Sequence, residues 1–253
     1  MFKSIFKAVG VAVVVSGFFC FGCGSDGGGS GKPSELVGHW IGVDTDGGGY
    51  YAKGKMELFK DGTGVSNDKS ISWKVENKRF VILSSGKGLS CNYYVSNYTL
   101  YLFKDDGSFE GYIKKELWNI LERAEEAKKN GKYDEAISGF NEAIKKDPNF
   151  AGAYNGLAGV YTLKKDYDKA IAKYDEAIRI IKRPLDIFGI YSARALMYVS
   201  IKEYDKAIAD WELALQTVSS ADYKDFGSTT LKEGIIEVIK EQIDILKRQR
   251  RSK

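Results

Sequence analysis

Two regions with different periods predict a two-part fold: a small antiparallel β-barrel or sandwich over residues 36–115, then an all-α stack of three helix pairs with a capping helix. Three observations carry this expectation. Between Leu36 and Lys115 apolar residues recur at every second place, and turn residues break the pattern every eight to twelve residues. Between Leu117 and Thr217 one helical phrase is written three times, as "YDEAISGFNEAI", "YDKAIAKYDEAI" and "YDKAIADWELAL". Beyond it, residues 229–250 carry Leu231, Ile235, Ile239, Ile243 and Leu246 on one helical stripe.

The first 22 residues have another character. Lys3 and Lys7 precede the apolar run Ala8–Phe21, which is shorter than the roughly 20 residues a membrane-spanning helix needs and suits a secretory signal. The run ends in "FFCFGCGSDGGGSG", which resembles bacterial lipoprotein signals, where a cysteine after small residues is lipidated and becomes the mature N-terminus. The resemblance selects Cys23, flanked by Gly22 and Gly24, over Cys20, which follows two phenylalanines. Cys20 itself stands three places before Cys23, where the family usually has an aliphatic residue. The resemblance implies a membrane anchor through the N-terminal lipid. Gly24, where Asp would favour the inner membrane, implies the outer membrane of a bacterial envelope, with the domains in the periplasm or at the surface. The alternative is a plain signal peptide and a secreted protein. Residues 23–35 read as the lipidated cysteine and a Gly/Ser tether, whose span is roughly 18 Å. Within it "GSGKPS" touches the phosphate-loop pattern but fails it, with Asp26 at the first Gly place and Pro33 at the Ser/Thr place.

The composition excludes several functions. The formal charge of +4 across 253 residues is too small to imply a nucleic-acid partner. One histidine, His39, leaves no material for His-based triads or multi-His metal sites, so neither a cofactor nor a metal is expected. After signal removal Cys91 is the remaining thiol, and no intramolecular disulfide can form.

In the β region "ISWKV" alternates Ile71, Trp73 and Val75 against Ser72 and Lys74, while "KDGT" (60–63) and "DDGS" (105–108) read as hairpin turns. About eight short strands are expected. "LVGHWIG", with Gly38 and Trp40, and "MELFKDGTGVS" resemble the small lipocalin-like domains of bacterial lipoproteins. At about 80 residues the domain predicts a filled core rather than a ligand cup. His39 reads as an isolated polar residue and Cys91 in "LSCNYYV" as a small buried hydrophobe. "NYT" (97–99) fits the glycosylation sequon, which a bacterial lipoprotein would rarely use. The tyrosines, among them Tyr50, Tyr51, Tyr93, Tyr94, Tyr98 and Tyr101, serve either a half-buried sheet or a ligand-binding face.

The three copies have a measurable register. Ala136 and Ala170 lie 34 residues apart, and Ala170 and Ala207 lie 37 apart. Small, aromatic and small residues recur as Ala136, Phe140, Ala143, then Ala170, Tyr174, Ala177, then Ala207, Trp211, Ala214. Ala124, Ala158 and Ala195 fill the small position of each preceding helix, and Pro148 ends the first unit. These residues resemble the tetratricopeptide repeat, whose period is 34. The units are 117–150, 151–187 and 188–218, within a repeat region of 116–218. Arg123 and Arg194 depart from the family by standing where Leu is usual, and "RPLDIF" carries a three-residue insertion. An array of this kind needs a polar end cap, which residues 229–250 supply, and the closing "KRQRRSK" complements the helix dipole or meets anionic lipid.

By resemblance, such arrays hold a protein or peptide partner in a concave groove lined by the first helix of each unit. Here the groove residues are Leu121, Glu125 and Lys128, then Asn155, Thr162 and Leu163, then Ser192, Leu196 and Val199. Family members that clamp a terminal carboxylate use Lys, Asn and Arg at set places. This chain has Leu121, Glu125, Gly156, Gly189 and Ala193 there, so that clamp is not expected. The leading expectation is a non-enzymatic, lipid-anchored adaptor of the envelope. The alternative is a lipoprotein whose β domain binds a small molecule or glycan while the helices support it. Asp105 and Asp106 read as turn residues, not as an acid/base pair.

Overall fold

A computed structural model describes residues 33–44, 51–77, 79–84, 87–95, 98–103, 109–181, 184–221 and 229–251. The expected signal, Cys20, Cys23, most of the tether, Asn97 and the 105–108 turn lie outside these residues. A single helical turn, α1 (Pro33–Leu36), precedes eight strands: β1 (Gly38–Asp44), β2 (Tyr51–Leu58), β3 (Thr63–Ser66), β4 (Lys69–Glu76), β5 (Arg79–Ser84), β6 (Lys87–Val95), β7 (Thr99–Phe103) and β8 (Phe109–Lys114). Each strand pairs antiparallel with its chain neighbour, and β1 pairs with β8 from Trp40↔Lys114 to Val43↔Gly111. The sheet therefore closes into a barrel, which decides between the two β architectures left open above.

The period of two explains what fills it. Trp40, Met56, Leu58, Ile71, Phe80, Cys91, Tyr93, Val95, Leu100 and Leu102 form one buried cluster inside the barrel. Leu36 of α1 joins them, and its carbonyl accepts a 2.7 Å hydrogen bond from Trp40 Nε1. The Cys91 thiol is buried 3.6 Å from the Phe80 carbonyl oxygen. His39 is on the surface, 3.1 Å from Glu57 Oε1. At the "KDGT" turn Gly62 adopts φ +83°, and the Asp61 carboxylate accepts from the Thr63 hydroxyl and backbone N–H at 2.6 and 2.9 Å. Those bonds hold the Asp61 carboxyl below its ordinary value.

Residues of the opposite parity do a different job. Ile41 and Ile113 share a second buried cluster with Leu117, Trp118, Ile120 and Leu121 of the helix that follows. That helix, α2 (Lys115–Lys129), begins on the residue after β8 ends. Two residues of the barrel's outer face are therefore buried against the array. Lys146 reinforces the join, 5.5 Å from the Tyr98 ring centre and 3.7 Å from Glu116.

The array continues with α3 (Tyr133–Lys146), α4 (Ala151–Leu163), α5 (Tyr167–Ile180), α6 (Pro184–Ser200), α7 (Tyr204–Ser220) and α8 (Thr229–Arg251). Helices α2/α3, α4/α5 and α6/α7 form the three pairs. The repeated small and aromatic residues are buried in every pair, because alanines let two helices approach while one ring fills the gap. The approach is close. A Cβ on Gly139 would lie 2.8 Å from that of Ala124, and one on Gly156 would lie 2.4 Å from the Phe140 ring.

The first helix of each pair ends in the same device. Gly131, Lys165 and Lys202 take positive φ, and the next N–H (Lys132, Asp166, Glu203) donates at 2.9 Å to Ala127, Tyr161 and Tyr198 respectively. These are Schellman closures, which satisfy carbonyls that the helix end leaves open. Only the first uses glycine, and a lysine in the left-handed region costs the other two about 1 kcal/mol each.

Arg194 of α6 explains one departure from the repeat pattern. Its guanidinium forks onto Asp210 of α7 at 2.7 and 2.8 Å and also reaches Asp175 of α5, so it ties the second unit to the third. Arg123 is exposed and bonds to the Asn119 carbonyl. Helix α8 lies antiparallel to α7: Lys232 donates to the Ser219 and Ala221 carbonyls, Lys247 meets Glu212 at 3.2 Å and Arg250 meets Asp205 at 2.7 Å. Its Ile235, Ile239, Ile243 and Leu246 join the core around Trp211 and Val218. Two cations of the tail are thus seated on α7 carboxylates.

Candidate partner groove

Because α2, α4 and α6 are the first helices of successive pairs and lie beside one another, equivalent places form rows across them. The first row holds Leu121, Asn155 and Ser192, which are 0 %, 6 % and 3 % exposed. Leu121 belongs to the cluster that Ile41 and Ile113 complete. The Ser192 hydroxyl donates to the Phe188 carbonyl at 2.8 Å.

The next row holds Glu125, Gly159 and Leu196. Glu125 is 9 % exposed, and its Oε2 lies 2.6 Å from Lys128 Nζ. Lys128 also sits 5.8 Å from the Phe140 ring centre, so its ammonium is held from two sides. Glu125 Oε1 is buried with no hydrogen-bond partner among the described residues. Beside it the floor is open: among the described residues a Cβ on Gly159 would meet nothing within 4 Å. Leu196 is half-buried.

The last row, toward the Schellman turns, holds Lys128, Thr162 and Val199, with Leu163 adjoining. Thr162 donates its hydroxyl proton to the Ala158 carbonyl at 3.0 Å, and Val199 is half-buried. Leu163 is 52 % exposed, the most exposed large apolar side chain among the described residues. Beneath this row burial pushes the Tyr174 phenol up to about 12, against the lowering by the Thr162 hydrogen bond and the Arg194 charge.

Of the nine residues the repeat register selects, the structure brings Glu125 and Lys128 into contact and leaves Leu163 open. It encloses Leu121, Asn155 and Ser192. Gly159 was not selected, because a glycine adds nothing to a hydrophobic or charge pattern. Its signal was positional, at the place that Glu125 and Leu196 occupy in the flanking units.

A family model described as "Tetratricopeptide repeat" matches residues 121–187. Among solved structures, the first TPR of Spaghetti (RPAP3) bound to the HSP90 peptide SRMEEVD is 20% identical, covers 51% of this chain and 93% of its own, and has a TM-score of 0.37. The Arabidopsis OM64 TPR domain is 20% identical over 51% of this chain and 93% of its own, with a TM-score of 0.38. The type III secretion translocator chaperone SycD of Yersinia enterocolitica is 23% identical over 50% of this chain and 92% of its own, also at 0.38. No curated protein matches the sequence. The family match over residues 121–187 and the threefold register of small and aromatic residues show that the C-terminal region carries tetratricopeptide repeats.

Proposed function

We propose that this chain is a non-enzymatic adaptor of the bacterial envelope, anchored by lipid on Cys23, that holds a protein or peptide segment in the concave groove of its repeats. The observation that carries the reading is the open floor at Gly159 beside the half-exposed Leu163, a place where a partner's side chain can be seated without displacing the fold. The outer-membrane and periplasmic assignments rest on the "CFGCG" signal alone. The barrel serves the array as a cap, since its interior is taken by its own side chains from Trp40 to Leu102.

Two experiments test the two halves of this reading. In a bacterial host, Cys23→Ser is expected to move the protein from the membrane to the soluble fraction and to abolish incorporation of labelled palmitate. Continued labelling would remove Cys23 as the anchor. Affinity recovery of cross-linked partners from membranes is expected to fall at least tenfold for a Leu163→Glu, Leu196→Glu double variant, because both charges enter the apolar part of the groove. Unchanged recovery would remove the groove as the binding face.

A further inference from the structure

At one edge of the array the three Schellman turns and the C-terminus of α8 come together, because Arg250 near the end of α8 reaches Asp205 at the start of α7. The place of Gly131 in the first turn is held by Lys165 in the second and by Lys202 in the third, at φ +61° and +64°. Glycine takes that conformation freely and lysine is strained in it, so the backbone does not account for the two lysines. What they share is exposure, one repeat apart, in a row with the exposed Lys129 of α2 and Arg248 and Arg251 of α8. The carboxylates of this edge do not offset the row. Asp134, Glu135, Asp166, Glu203 and Asp205 each lie within 3.5 Å of a different lysine or arginine outside it, which leaves Asp168 and Glu126 against its five cations.

The edge is also within reach of the proposed anchor. Pro33 lies ten residues after Cys23, at most about 35 Å of extended chain. Helix α1 ends beside the cleft that Val37 and Gly38 form with Lys115 at the start of α2. From there the 15 residues of α2 rise about 22 Å to the first Schellman turn. Resting on the lipid anchor proposed above, we infer that this edge lies on the bilayer and that its five cations meet the phosphates of anionic lipid. A row of cations spread over the tips of four successive elements fits a flat anionic surface, whereas a single bound segment is served by the concave face. Each cation near such a surface is worth about fivefold in partition, and salt screens the attraction.

The test uses the full lipid-anchored chain, purified from a bacterial host and reconstituted into two kinds of vesicle. One is phosphatidylcholine, the other an equal mixture of phosphatidylcholine and phosphatidylglycerol, and acetylation of each lysine is read by mass spectrometry. Acetylation of Lys129, Lys165 and Lys202 is expected to be at least fivefold slower on the anionic vesicles, while the exposed Lys69 of the barrel reacts alike on both. In a Lys165→Gly, Lys202→Gly variant, whose turns keep a conformation that glycine favours, Lys129 is expected to regain the rate seen on phosphatidylcholine. A chain that does not float with either vesicle would overturn the lipid anchor and this inference together. A chain that floats, but whose three lysines react alike on both vesicles, would overturn the edge assignment and leave the anchor standing. Slowing by soluble polyglutamate and not by phosphatidylglycerol would assign the edge to an acidic partner and overturn the bilayer.

Discussion

The two ends of the helical stack are closed by different means. At the first end a barrel turns two residues of its outer face, Ile41 and Ile113, onto α2, and β8 runs into that helix without an intervening residue. At the far end α8 lays a stripe of Ile235, Ile239, Ile243 and Leu246 on α7 and adds ion pairs from Lys247 and Arg250. A solenoid unit cannot bury its own apolar flank, so both ends need a cover. The difference lies in coupling. The barrel is a separate closed core fused to its neighbour, whereas α8 has no core of its own and is held wholly by the unit it covers.

The largest effect is therefore expected at the far end. Truncation after Ala221 removes α8 and bares the surface around Trp211 and Val218, and the helical array is expected to lose cooperative thermal unfolding by circular dichroism while the barrel signal persists. Retention of a single sharp helical transition would show that α8 is not a structural cap. Point changes sharpen the contrast. Ile113→Ala and Ile239→Ala, both at fully buried sites, are each expected to cost about 2–5 kcal/mol in urea denaturation. Ile113→Ala should lower barrel and array together. Ile239→Ala should leave the barrel's midpoint unmoved and raise amide exchange in α8 first. Equal effects on both domains from both changes would contradict the asymmetry.

Between the caps, the middle unit is tested by alkali. The Tyr174 phenol is raised to about 12 when folded, so below pH 10 both states hold the proton. From pH 10 to about 12 the unfolded chain releases it and the folded chain does not. Folding free energy then falls by about 1.4 kcal/mol per pH unit, about 2–3 kcal/mol in all. Tyr174→Phe should flatten that part of the stability profile, and a profile identical to the parent protein's would show that Tyr174 does not titrate with unfolding. The smallest effect is stabilising. Lys165→Gly relieves a left-handed lysine in the second Schellman turn and should add about 0.5–1 kcal/mol, as a raised urea midpoint; a lowered midpoint would mean that the lysine's contacts outweigh its backbone strain.

The helical half was legible in the sequence because its determinants are local and repeated. A 34-residue register of alanines and aromatics places both helices of a unit and the faces they bury. The barrel was legible only in its strands and its filled interior. Alternation reports which face points inward but not whether the first and last strands meet, and the β1–β8 pairing joins Trp40 to Lys114 across the whole domain. The same limit applies to the groove. The register names its residues, but the burial of Leu121 depends on Ile41 and Ile113, which lie in another domain. The opening at Gly159 depends on the absence of neighbours, which no local pattern encodes. Arg194 was visible as a departure, and its reason, two carboxylates on two other helices, was not.

On the proposed function, the groove face between the two caps holds the partner. A photo-crosslinking amino acid placed at Leu163 on the groove side, and separately at the exposed Glu142 of α3 on a second helix, tests it in living cells. A discrete crosslinked species is expected from position 163 that Gly159→Leu eliminates, and none from position 142. A crosslink from position 142 alone, or one from position 163 that survives Gly159→Leu, would contradict it.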